Sequence, residues 1–297
     1  MTTSGRAAIL ARRRARFTEV VREIGSHPSA VIGAVLLLLI IVLALLAPVL
    51  MPMDRLDVTK VTARGNESPS GGHWLGTDPS GRDVLGLLLW GSRASLLVGF
   101  SATAMAMIIG TTLGMAAGHF TGVIRAVVLR IIDFFLVVPS LVLAIVLSAV
   151  LSRGLSTIII AIGVTCWAHT ARVVRAQTLT IETRPYIERA RALGAGDVHI
   201  IGKHVFPSVL PLVMANTTLV VGQAIILEST LAFLGLGDPT TFSWGSMLKT
   251  ALDTGAATAG YWWFVLAPGI AIVIVVLCFT LVGRGLEAVL NPTLRSR

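Results

Sequence analysis

The sequence predicts an all-α integral membrane protein with six transmembrane helices, and three observations carry that prediction. Of the 297 residues, 55% are hydrophobic and only 13% charged, and the mean hydropathy of +0.84 is far above that of a water-soluble globule. Six apolar runs, at 30–50, 95–118, 134–151, 155–171, 209–236 and 262–282, are long enough or nearly so to cross a bilayer as helices. Between the fourth and the fifth lies a polar island, Arg184 to Pro211, that lipid cannot hold. Its charges Arg184, Glu188, Arg189, Arg191, Asp197 and Lys203 would each cost about 3 kcal/mol at bilayer depth, so the island is a loop at the membrane surface.

Residues 1–29 precede the first span. From Ala7 to Ile24, Arg12, Arg13, Arg14, Arg16 and Arg22 alternate with Ile9, Leu10, Phe17, Val20, Val21 and Ile24, the pattern of a basic amphipathic helix on an anionic leaflet. The run at 30–50 is too long for the apolar core of a signal peptide, and Leu45 and Pro48 do not suit a cleavage site, so it is the first transmembrane helix. Residues 51–94 form the loop that follows. Within it, Asp78, Pro79, Ser80 and Gly81 occupy the four successive positions of a type I turn in residues that favour each. Asp78 and Asp83 are the nearest approach to a metal site there, without the alternating oxygen ligands of a calcium loop.

The second span, Ser95 to Gly118, carries Gly110, Gly114 and Gly118 on one helical face, a spacing that serves close helix packing rather than a pore. Arg130 and Asp133 are spaced for a weak surface ion pair ahead of the third span, which runs from Phe134 to Leu151 and contains Pro139. The fourth ends near His169 and Arg172. In the island, Tyr186 to Leu193 are good helix formers, Gly194 and Gly196 break the run, Asp197 is placed to cap a second short helix, and Pro207 is placed to end it.

The fifth span holds Glu228, the only carboxylate within a span. An ionisable group there is a functional candidate, but about 28 Å of helix separates it from Val209 and brings it near the far interface. It is either a gate or pathway residue or an interfacial carboxylate in contact with water. Trp244, Trp262 and Trp263 suit an interfacial aromatic belt. Cys166 and Cys278 fall far apart inside apolar runs, as core hydrophobes rather than a disulfide or a metal pair. The +9 net charge follows topology: the N-terminus, residues 119–133, residues 172–208 and the C-terminal tail hold 17 of the Lys and Arg residues, against 7 in the opposite loops. The positive-inside rule therefore makes both termini and the Arg184 to Pro211 loop cytoplasmic.

Glu188, Ala190, Gly194 and Pro207 stand at the spacing of the "EAA" coupling loop of bacterial ABC importer permeases, with Arg189 and Phe206 as departures from that pattern. HWLGTDPSGRDVL and SRASLLVG, RIIDFFLVVPSLVLAI, and ESTLAFLGLG with PTTFSWGSML resemble the dipeptide, oligopeptide and nickel importer permeases in the same order. The resemblance covers about Pro28 to Pro292. It implies the type I ABC importer permease architecture, six helices with an outer loop after helix 1, comprising a five-helix core at 95–283, a coupling loop at 184–211 and a tail at 284–297. It implies ATPase coupling at Tyr186, Glu188, Arg189, Ala190, Ala192, Leu193, Gly194, Ala195 and Pro207, while Glu228, Phe233 and Trp244 are the candidates for an outer gate or pathway. It further implies a homologous second permease subunit, two ABC ATPase subunits that carry ATP and Mg, and an extracytoplasmic substrate-binding protein. Di- or oligopeptides are the implied cargo, with nickel, glutathione and haem as alternatives in the same family.

No P-loop is present: Lys203 follows Gly202 but precedes His204, and Asp197 stands where the motif needs glycine. The six histidines show no zinc-ligand spacing, and no span bears the paired ionisable groups of a proton relay. ATP is therefore expected on partner subunits, and an ion-coupled secondary transporter is the weaker reading from another class, ahead of a membrane enzyme. The topology is testable by cysteine labelling. Ser70→Cys should react with an impermeant reagent from outside and Ser296→Cys should not; labelling at 296 reverses the assignment.

Overall fold

The structure is a computed structural model that describes residues 27–290. Its helices are α1 (Pro28–Leu50), α2 (Val84–His119), α3 (Gly122–Val137), α4 (Ser140–Val150), α5 (Leu155–Thr165), α6 (Trp167–Glu182), α7 (Pro185–Ala192), α8 (Asp197–Ile200), α9 (Phe206–Phe233), α10 (Trp244–Asp253) and α11 (Trp262–Leu290). A 3₁₀ turn at Met53–Leu56 and a π-helical turn at Ile201–Val205 complete the set. The described residues contain no strand beyond a single bridge between Thr77 and Asp83. All-α architecture follows from the solvent, because backbone groups at bilayer depth must find their partners within the chain. Five helical stretches are long and apolar enough to cross a membrane, and the bent pair α3–α4 makes a sixth. The amphipathic stretch predicted at Ala7 to Ile24 lies outside the described residues.

Helix α1 explains itself by side-chain size. Ala30, Gly33, Ala44 and Ala47 face inward, whereas Leu38, Leu45 and Val49 face outward. The small face lets α1 lie directly on α11: a Cβ added to Gly33 would stand 2.9 Å from Leu281 Cβ and 3.0 Å from the Cys278 carbonyl oxygen.

Three spans differ in their boundaries from the sequence reading. Helix α2 begins at Val84 rather than Ser95, since Asp83 caps it by accepting the Gly86 N–H at 3.0 Å. Its 36 residues reach about 54 Å, more than a bilayer core requires. The third span is broken, with α3 and α4 meeting at 91° across Val138 and Pro139. Steric conflict with the proline ring drives Val138 into the extended region, at φ −75° and ψ 124°, and the helix cannot continue through it. Arg130 and Asp133 on α3 are both exposed and do not pair with each other. The fourth span continues past Ala171 to Glu182, with a break at Cys166.

Helicity also passes through Pro207, where the sequence suggested a stop. The π-helical turn resolves the conflict: the Phe206 N–H reaches back to the Ile201 carbonyl, and Pro207 then falls in the first turn of α9, where its missing donor is not needed.

The strongest helix pair is α2 with α6. A Cβ on Gly110 would lie 2.7 Å from the Trp167 carbonyl oxygen, one on Gly114 2.6 Å from that of Ala171, and one on Gly118 3.1 Å from that of Arg175. Three glycines four residues apart thus meet three carbonyls four residues apart, so the two helices run parallel and their backbones touch. Around this seam one apolar cluster gathers Met107, Met115, Val128, Ile132, Trp167 and Val174 with Ile187, Ile200, Val205 and Val209 at the loop end. At the opposite end a second cluster joins α1, α2, α10 and α11 through Leu87, Trp244, Met247, Trp263 and Phe264. Gly114→Leu should therefore reduce assembly and thermal stability sharply, because the new side chain has a main-chain carbonyl in its place; unchanged stability in detergent would show that the seam can open at little cost.

Candidate functional site

Two groups of the predicted residues take shape in the structure, one at each end of the α2–α6 pair. At the first, α7 and α8 form a helical elbow. Helix α7 starts with Pro185 at its first position and ends in a Schellman motif: the Ala195 N–H bonds the Ala190 carbonyl at 3.0 Å and the Gly194 N–H bonds the Arg191 carbonyl at 2.9 Å. Gly194 has φ +85°, while a Cβ at this position would meet nothing within 4 Å. Glycine is required here by backbone angle alone, not by crowding.

The elbow presents two faces. Ile187 and Ile200, one from each short helix, are fully buried in the apolar cluster beneath. Leu193 and Val198 point the other way and are each 88% exposed, with Tyr186 exposed beside them. Glu188, Arg189 and Ala192 are also exposed, and neither Glu188 nor Arg189 makes an ion pair among the described residues. Tyr186 and His204 rings lie 5.9 Å apart and steady the return into α9.

Asp197 does not cap α8; Gly196 holds the cap position without a side-chain bond. The Asp197 carboxylate instead stands 3.2 Å from Nε2 of His119, the last residue of α2. His119 Nδ1 faces Glu182 Oε1 at 2.5 Å, and the other oxygen of Glu182 accepts from Arg191 Nη2 at 2.5 Å. None of these partners is recognisable from sequence spacing, since 63 residues separate His119 from Glu182.

At the opposite end, Glu228 is 1% exposed, so the reading of a water-contacting interfacial carboxylate is overturned. Ser95 of α2 donates to its Oε2 at 2.9 Å, and Ser229 donates to the same oxygen at 3.2 Å. The Trp244 N–H donates to Ser95 Oγ at 3.3 Å, and the indole N–H donates to the Leu88 carbonyl at 3.1 Å. Trp244 is buried and opens α10 instead of lying in a loop, and Trp263 is buried as well; of the three belt candidates only Trp262 is exposed. The cluster thus brings Glu228 and Trp244 together but leaves Phe233 apart, half-exposed at the end of α9. Ser243 and Ser246 form a capping box, a signal present in the sequence as Ser-x-x-Ser before an apolar run.

The loop after α1 is built as its turn residues required. The Gly81 N–H closes the turn on the Asp78 carbonyl at 2.9 Å, and the buried Asp78 carboxylate takes the Ser80 and Arg82 N–H groups and the Arg82 guanidinium. Asp83 caps α2 and accepts His73 Nδ1 at 2.8 Å. The two carboxylates weighed for a metal are thus engaged by protein donors. In the exposed part of this loop, Thr59 bonds hold the Asp57 carboxyl below its ordinary range.

Comparison with known proteins places the chain. Residues 110–296 match the family described as binding-protein-dependent transport system inner membrane component, and residues 16–69 match the N-terminal transmembrane domain of oligopeptide transport permease C. The chain belongs to this family of multi-pass inner-membrane permease components. Within it, the chain is 36% identical to the dipeptide transport system permease protein DppC of Bacillus subtilis, over 92% of this chain and 85% of that one. It is also 36% identical to the glutathione transport system permease protein GsiD of Pectobacterium atrosepticum, over 90% and 88%, and 35% identical to the oligopeptide transport system permease protein OppC of Bacillus subtilis, over 91% and 87%. Among solved structures, a chain of the MetNI methionine ABC transporter superposes with a TM-score of 0.56 at 22% identity, covering 68% of this chain and 96% of that one. That likeness establishes the shared type I permease fold.

Glu228→Ala would leave the buried Ser95 and Ser229 hydroxyls without their shared acceptor and open a cavity, a loss of about 2 kcal/mol or more. Thermal unfolding in detergent should show a clear drop for Glu228→Ala and a smaller one for Glu228→Gln, which keeps one carbonyl oxygen. Equal stability of Glu228→Ala and the parent would show that the cluster does not hold this end together.

Proposed function

We propose that this chain is one permease subunit of an ATP-driven importer for di- or oligopeptides, working with a homologous second permease, two ABC ATPase subunits and an extracytoplasmic substrate-binding protein. The carrying observation is the helical elbow at 184–211, with Ile187 and Ile200 as buried anchors and Leu193 and Val198 as exposed apolar tips. Two apolar tips flanked by the unpaired Glu188 and Arg189 suit a cleft in another protein better than water or lipid, which neither apolar tips nor charges alone would favour. ATP and Mg would be held and consumed by the partner ATPases, and this chain would supply the lever. Closure of the ATPases would push the elbow, and the two permeases would rock between outward-open and inward-open arrangements. With the termini and the elbow cytoplasmic, the Glu228 cluster would fall on the outer side, where the buried Glu228 and Trp244 would brace an outer gate and the more exposed Phe233 would face the path. The dipeptide and oligopeptide relatives support peptide as cargo, and the glutathione relative extends the same proposal to glutathione.

The test is ATPase stimulation by loaded binding protein in the reconstituted complex. Gly194→Val forces a β-branched residue into a left-handed backbone angle, and Glu188→Lys reverses a charge on the docking face. Both variants should insert normally yet lose substrate uptake and stimulation. Full stimulation and full uptake in both would remove the elbow from the coupling pathway.

A further inference from the structure

We propose that His119 and Glu182, outside the elbow, are positioning residues that transmit its displacement into the membrane bundle through a four-residue ionic clasp. This inference rests on the coupling role proposed above and names the connection that role requires.

An exposed elbow held only by apolar anchors can tilt or slide without moving the helices behind it. Here each side of the Gly194 hinge is tied separately. Arg191, in the last turn of α7, reaches Glu182 Oε2 at 2.5 Å, and Asp197, the first residue of α8, reaches His119 Nε2 at 3.2 Å. The two inner members then join each other, His119 Nδ1 to Glu182 Oε1 at 2.5 Å. The order Asp197, His119, Glu182, Arg191 is an open chain of three links in which acid and base alternate. Both nitrogens of the His119 ring thus stand within reach of a carboxylate oxygen, one from Glu182 and one from Asp197.

The surroundings make the clasp stiff. The His119 side chain is 2% exposed and that of Glu182 11%, and the Phe120 ring stands edge-on to the imidazole with centroids 5.0 Å apart. His119 and Glu182 are also the terminal residues of α2 and α6, the two helices whose backbones touch along Gly110, Gly114 and Gly118. A force on the elbow therefore enters a helix pair that resists shear, because Thr170, Val174 and Thr178 of α6 seat in the notches left by Gly110, Gly114 and Gly118. The outer members Asp197 and Arg191 are 64% and 47% exposed, so the clasp's stiffness lies in its enclosed inner pair, and the two outer links act together through it rather than as isolated surface pairs.

The experiment uses the reconstituted complex and two readouts. The first is the ratio of ATPase rate with loaded binding protein to the rate without it; the second is hydrogen exchange of residues 185–205. Glu182→Gln should lower the ratio about threefold or more, raise exchange on both sides of Gly194, and leave co-purification of the ATPase subunits unchanged. Glu182→Asp, which keeps the charge, should recover most of the ratio. Arg191→Met added to Glu182→Gln should cost little beyond the single change, since both break the same link. A normal ratio in Glu182→Gln overturns the proposal, even if exchange rises, because the clasp would then be only a local fastening. Additive losses overturn it too. If the unsubstituted chain fails to co-purify with ATPase subunits, the importer reading fails instead, and unchanged exchange in Glu182→Gln would overturn the clasp independently.

Discussion

The close approach of α2 and α6 is the constraint on which the rest depends. In lipid, apolar side chains gain little by leaving one apolar surface for another, so helix pairs are held by contact area and backbone proximity. Gly110, Gly114 and Gly118 supply that proximity, each opposite a carbonyl of α6. With the pair fixed, the ends of both helices are fixed as well. Ser95 on α2 is thereby aligned with Glu228 on α9, and His119 on α2 with Glu182 on α6.

The two polar clusters solve the same physical problem differently. Near Glu228 the chain buries a carboxyl group with serine hydroxyls as partners, drawing α2, α9 and the start of α10 to one point. At the other end it buries an imidazole between two carboxylates, one of which lies beyond the Gly194 turn. Buried polar groups demand partners, and each cluster takes at least one of them from another helix, so each specifies a register that apolar packing alone would leave free. The apolar cores between them supply the bulk of the contact but would tolerate sliding.

Much of the elbow was legible in the residues themselves. Good helix formers ending in Leu193-Gly194 dictate a helix with a left-handed stop, and the Schellman bonds through Ala190, Arg191 and Ala195 follow from that one glycine. The Asp78 to Gly81 turn was equally local. Pro207 was misleading, because a proline stops a helix only when no wider turn absorbs its missing hydrogen bond, and the π-helical turn does so. Trp244 misled for a related reason: its aromatic chemistry suits a membrane interface, but the capping box at Ser243 turns it into the first residue of a helix and sends it inward.

By itself the sequence determined an all-α membrane protein, its apolar spans, the polar loop between the fourth and fifth, and the hinge in that loop, since hydrophobicity, charge cost and backbone angle are properties of residues and their near neighbours. Only the tertiary structure decided that α3 and α4 bend apart at 91° and that Glu228 is shielded from water. It also decided that Asp197 serves His119 rather than its own helix. Those outcomes depend on which distant helix supplies the neighbouring atoms, and hydrogen bonds reaching across 63 or 133 residues leave no periodicity in a chain for a reader to find.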